Sequence, residues 1–153
     1  MTARIAIAAG ALALAALGWT PAAAQEAGDA EGAAFEITGD AEAGARVFRK
    51  CQACHAVGED AQDKVGPVLN GIVGRTAGAR EDFAYSDAMA EAGADGLVWT
   101  PEELGAFLER PRQHLPGTKM AFAGLRKEDE RADVIAYLAG FDETGTISGG
   151  EGS

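Results

Sequence analysis

The residues with the most chemistry to offer lie in one pentapeptide, Cys51-Gln52-Ala53-Cys54-His55, which holds both cysteines of the 153-residue chain. Two thiols three residues apart share one side of a helical turn, and the imidazole that follows lies just beyond them. A c-type haem site needs that order. Its thiols bond the two vinyl groups along one edge of the macrocycle, and the histidine lies beneath the iron as an axial ligand; C-x-x-C-H is the sequence form of this attachment. Rivals are weaker. A thioredoxin-like pair needs a βαβ setting, and no stretch of this chain shows sustained strand alternation. A zinc site needs four ligands, and only one further histidine, His114, is present. A disulfide is the first expectation in an oxidising compartment, but the adjoining His55 points to haem.

An iron held by His55 takes a sixth ligand or keeps an open position. The candidates are Met120, His114 and Met89. Met120 ends Leu115-Pro116-Gly117-Thr118-Lys119-Met120, an irregular loop kept out of helix by its prolines and glycine, and a loop of that kind can arch over the distal face of a haem. His with Met ligation raises the reduction potential and fills both axial positions, which favours electron transfer over oxygen or peroxide chemistry. Most methionines are core gap-fillers, and Met89, on the helix opened by Ser86, reads as one. His114 reads as a partly exposed residue near the loop.

The elements that must position these residues read as all-α. Asp40 caps a first helix expected to run through Lys50 into the cysteine motif. Ser86 caps a short helix to about Ala92, with Gly93 as its stop. Thr100-Pro101-Glu102-Glu103 is the strongest helix start, with an N-cap Thr, Pro at N1 and Glu at N3 of a capping box. Leu104, Phe107 and Leu108 give that helix an apolar face, and Pro111 ends it. A last helix spans about 128–138, with Val134, Ile135, Tyr137 and Leu138 inward. Between Ala56 and Phe83 the chain is Gly-rich and loop-like.

Arg4, the apolar run 5–17 and the small residues Ala22-Ala23-Ala24 read as an export signal over 1–24, cleaved after about Ala24. The run is roughly 13 residues, short of the roughly 20 a membrane span needs. Residues 25–38 read as a flexible lead-in, 39–139 as the folded domain and 140–153 as a disordered tail. The formal net charge is −11, and loss of the leader, whose one charge is Arg4, makes it one unit more negative. Such a chain lacks the basic footprint nucleic acid requires and does not suit anionic lipid surfaces.

Many ordered matches to one family accompany the motif. The chain resembles the class I cytochromes c, of the soluble bacterial type similar to mitochondrial cytochrome c, over roughly 39–139. The matching residues are Gly39-Asp40 through Phe48, Lys50 and the cysteine motif; Gly66-Pro67, Leu69, Gly71, Gly74 and Arg75; Phe83, Tyr85-Ser86-Asp87-Ala88, Trp99 and Pro111; Leu115 through Leu125; and Arg131-Ala132-Asp133 with Ile135-Ala136-Tyr137-Leu138. The resemblance implies the cytochrome c fold, short helices and Gly/Pro-rich loops wrapped around one haem c attached through Cys51 and Cys54. It implies His55 as proximal ligand with its ring fixed by the Pro67 carbonyl, and Met120 as distal ligand. It implies Arg75, Tyr85 and Trp99 as donors to a propionate, and a close crossing of Gly44 and Phe48 on Tyr137. The chain departs from the family's frequent residues at Phe107 and His114 (often Tyr) and at Met89 (often Asn), and its acidity reverses the basic surface of the mitochondrial relatives.

The expectation is a monomeric periplasmic electron carrier, not an enzyme. Its donor would be a membrane complex such as a cytochrome bc complex or a periplasmic dehydrogenase, and its acceptor a terminal oxidase or photosynthetic reaction centre. Basic residues such as Lys50, Lys64, Arg112, Lys119, Arg126 and Lys127 would form a local patch for encounter. The alternatives are a haem enzyme or gas/redox sensor with a displaceable Met120, and a subunit dedicated to one larger enzyme.

Overall fold

Residues 35–147 are described in the computed structural model; the leader read over 1–24, most of the lead-in and residues 148–153 lie outside them. Five helices follow one another: α1 (Ala41–Phe48), α2 (Asp87–Ala94), α3 (Pro101–Glu109), α4 (Pro111–His114) and α5 (Glu128–Ala139). Among the described residues the only β pairing is two isolated bridges, Thr76 with Val98 and Phe141 with Ile147.

The first and last helices cross. Asp40 accepts from Ala43 N–H as the N-cap of α1, and its own N–H donates to Asp133 Oδ1 on α5 at 2.9 Å. Gly44 is buried at the crossing because a Cβ there would overlap the Asp133 carbonyl. Phe48, 2% exposed, lies with its ring centroid 5.3 Å from that of Tyr137. Burying such a side chain stabilises by about 2–3 kcal/mol. The rest of the core is Ile72, Trp99, Leu104, Phe107, Leu108, Leu125, Val134, Ile135 and Leu138.

Helix limits differ from the sequence reading in three places. α1 ends at Phe48 and not within the motif; tighter turns continue it, Cys51 N–H donating to Phe48 O at 2.7 Å. α2 runs past Gly93 to Ala94, for Gly93 serves close packing and not termination: a Cβ there would overlap the Ala77 carbonyl. Pro111 does end α3, yet it also opens the single turn of α4, where a proline at N1 loses no hydrogen bond. Residues 141–147 form a closed turn: Asp142 Oδ1 accepts from Thr144 N–H, Thr144 Oγ1–H and Thr146 N–H. Those three bonds, the Thr144 hydroxyl foremost, hold the Asp142 carboxyl below the usual carboxylate range.

Candidate functional site

The cysteine motif is a run of turns. Cys54 N–H and His55 N–H both donate to Cys51 O, at 3.0 and 2.9 Å. Lys64 Nζ reaches back to the Gln52 and His55 carbonyls at 2.8 and 3.4 Å, satisfying acceptors a helix end leaves open. Cys51 is half-buried, its thiol pushed up by burial, and Cys54 is exposed; both thiols are free.

His55 is fixed from two sides. Its Nδ1 lies 2.8 Å from Pro67 O. A carbonyl only accepts, so Nδ1 carries the proton and Nε2 keeps its lone pair for a metal. Its ring also lies against Gly66, where any Cβ would overlap it. Burial lowers the His55 pKa, against the pull of the Pro67 bond. Pro67 itself stands in a loop pinned by Leu69 N–H to Ala56 O at 3.0 Å and by Asn70, which exchanges two bonds with the backbone of Gly58, 2.8 and 2.9 Å. Asn70 is 7% exposed and was missed by sequence reading, because one amide in a loop carries no pattern.

Arg75 and Trp99 are neighbours through their backbones: Trp99 N–H donates to Arg75 O and Gly74 N–H to Trp99 O, both at 2.9 Å. The Arg75 guanidinium donates to the Asn70 and Val68 carbonyls at 2.9 and 3.4 Å and has no carboxylate partner among the described residues. Burial lowers its pKa, with Tyr85 nearby acting in the other direction. Burial likewise raises that of Tyr85. Trp99 is 5% exposed. The structure therefore places Arg75 near both Tyr85 and Trp99, as a half-buried cation with no carboxylate within ion-pair distance among the described residues.

Met120 is half-buried against the core, as are Cys51, Leu69, Val73, Leu97 and Leu115. Its N–H donates to Thr118 Oγ1 at 3.3 Å, and Lys119 Nζ donates to Tyr85 O at 3.0 Å. His114, the rival ligand, is committed elsewhere: its Nε2 bonds Glu103 Oε1 at 2.5 Å and its ring stands edge-on to Phe107. The capping box is left incomplete, its return donor, Thr100 N–H, being given to Val98 O at 2.8 Å. Thr100 Oγ1 accepts from Glu103 N–H as expected, but the carboxylate turns to His114.

The residues present fit a haem. Two free thiols, an imidazole with its outer nitrogen fixed, a thioether, a set of half-buried apolar side chains and a half-buried guanidinium without an ion-pair partner match one edge-attached, carboxylate-bearing macrocycle. The zinc rival has no ligand set: among the described residues no three of His, Cys, Asp and Glu converge on one point.

Comparisons with known proteins agree. A family model described as cytochrome c matches residues 41–141. A cytochrome c2 of Agrobacterium tumefaciens (strain II Chrys) is 56% identical over 100 residues, 65% of this chain and 90% of the relative. A cytochrome c-550 of Ancylobacter novellus is 55% identical over 103 residues, 67% of this chain and 96% of the relative. The solved cytochrome c2 of Rhodospirillum centenum superposes with a TM-score of 0.64 at 44% identity, covering 68% of this chain and 99% of that one.

Proposed function

The chain belongs to the cytochrome c family, and from that premise we propose that it carries single electrons through a haem c whose iron is held by His55 and Met120. The cofactor is one haem c attached through Cys51 and Cys54, which supplies an iron that takes up and gives back one electron. The observation that carries the reading is the bond from His55 Nδ1 to Pro67 O. It orients one imidazole nitrogen inward and makes it a better donor. The engagement of His114 by Glu103 favours Met120 for the other side. Arg75, Tyr85 and Trp99 would hold a propionate. Two ligands set in a tied scaffold leave little to rearrange when the charge on the iron changes.

The carrier works in the periplasm after export, between a membrane donor such as a cytochrome bc complex and an acceptor such as a terminal oxidase or reaction centre. Of the six basic residues expected to face partners, three are spent locally: Lys50 on Glu130 at 2.7 Å, Lys64 on the motif carbonyls and Lys119 on the Tyr85 carbonyl. Arg112 and Arg126 instead line, with Arg110 and Phe122, an open groove of about 360 Å³ beside the Met120 segment. This groove is the positive element a redox encounter would use on an otherwise acidic molecule.

The optical spectrum of the oxidised protein tests the ligand pair. A weak far-red band that disappears in Met120→Ala is expected. A spectrum without that band at neutral pH, or one in which carbon monoxide binds the reduced protein readily, moves the assignment to an enzyme or sensor. The apolar Phe107 ring beneath His114, with no hydroxyl to offer a sulfur ligand, is the feature that favours this second reading.

A further inference from the structure

The segment carrying Met120 hangs from α3 at both ends. At its far end Leu125 N–H donates to Leu108 O at 2.8 Å, and Gly124 lies against the Glu109 carbonyl so closely that a Cβ would overlap it. Both contacts are made by backbone. At its near end backbone bonds, His114 N–H to Arg110 O and Leu115 N–H to Pro111 O at 2.9 Å each, are joined by a side-chain tie to the body of α3. α4 ends at His114, Leu115 follows directly, and Thr118 N–H returns to Leu115 O at 3.1 Å. The side chain that fastens this end to α3 is His114, through Glu103 Oε1 at 2.5 Å.

Three further observations single out this pair. Glu103 and Phe107 are four residues apart on α3, hence on one face, and His114 meets both, with its ring centroid 6.1 Å from Phe107 at 78°. Phe107 in turn packs on Trp99 at 5.0 Å, so the pair is joined to one of the expected propionate donors. The ordinary use of Glu103, the return bond of a capping box, is not called on here, since Thr100 N–H is given to Val98 O. Both side chains are partly shielded, 26% and 33% exposed, so solvent does not cancel the interaction as it does for the chain's outermost ion pairs.

We infer that Glu103 and His114 are positioning residues for Met120: their bond latches the near end of the loop to α3 and sets how often the thioether leaves the iron. The inference rests on Met120 being the sixth ligand. Neither residue touches the iron; both act through the loop. When the loop swings out, the latch must open or strain, so the latch counts towards the closed state and lowers the fraction of molecules with an open position.

Added imidazole reads that fraction, because it binds ferric iron only where Met120 has left, and its apparent affinity scales with the open population. The holoprotein is titrated with imidazole and followed in the Soret and far-red regions. His114→Phe and Glu103→Leu should each bind imidazole about tenfold more tightly, the scale a hydrogen bond to a charged group sets. The double variant should bind no more tightly than either single one, since both remove the same bond. His114→Gln, which keeps a donor, should return to within about threefold of the parent. Should His114→Phe fail to yield holoprotein, Glu103→Gln, isosteric and uncharged, should give an intermediate gain. Parent-like affinity in both single variants, or additive effects in the double one, overturns the latch while Met120 stays the ligand. A parent protein without the far-red band overturns Met120 ligation first, and the latch with it.

Discussion

The two regions proposed to supply the iron's ligands are held by different means. His55 is fixed by main chain: the Pro67 carbonyl, the Gly66 backbone under its ring and a loop closed by backbone bonds and by Asn70. The Met120 segment has backbone bonds at both ends, and to these it adds side-chain ties: His114 on Glu103, Lys119 on the Tyr85 carbonyl, Thr118 on Met120 N–H. Main-chain constraints survive most substitutions, because the atoms involved belong to every residue. Side-chain constraints can be altered one at a time. The region that would present His55 is therefore built to stay constant, and the one that would present Met120 to be tuned.

The severest test of that contrast is Gly66→Ala. The added methyl overlaps the His55 ring, which can yield only by giving up its bond to Pro67 O, so stability should fall by about 3 kcal/mol, read by denaturant titration, with poor recovery of holoprotein. An intact His55 environment in this variant would break the comparison. Gly124→Ala is the distal counterpart. Its methyl overlaps the Glu109 carbonyl at a φ of +98°, and the expected loss is about 2 kcal/mol. Here the far-red band should weaken while haem attachment and the proximal ligand persist. Loss of attachment in both variants alike would show that the two sides are not separable.

Smaller effects sharpen the picture. Lys119→Ala frees one carbonyl partner on the distal side and should cost about 1 kcal/mol, with a modest gain in imidazole affinity and no change in attachment. The slightest effect is a pH dependence at Tyr85. Burial holds this phenol protonated beyond the range where the unfolded chain ionises. Its contribution is therefore complete below a pH of about 10 and declines as the pH rises through the folded value. Tyr85→Phe should flatten that part of the alkaline stability profile, measured as denaturation midpoints on either side of it.

Much of this was legible in the residues. Asp40, Ser86 and Thr100-Pro101 announce three helix starts because capping is local chemistry, settled within four residues. The cysteine motif is legible for the same reason. What was not legible depends on distant pairing. Glu103 reads as half of a capping box until His114, eleven residues on, takes its carboxylate. Lys64 and Lys119 read as surface charge until the fold brings carbonyls within reach. Gly93 reads as a stop until the Ala77 carbonyl arrives beside it. Local rules name the candidates, and long-range contacts decide how each is used.

The crossing of α1 and α5 has a consequence in time. Asp40 N–H and Asp133 Oδ1 meet across 93 residues of sequence, and contacts of such span slow a chain's folding. α1 is eight residues long, too short to persist as an isolated helix in water. Lasting order in the turns that carry Cys51 and Cys54 is therefore expected to await the docking of residues 128–139 on α1. Between synthesis of the motif and arrival of its distant partner, both thiols belong to an open chain. Haem attachment and adventitious disulfide formation compete in that interval, and the rate at which the last helix docks determines how long the competition lasts.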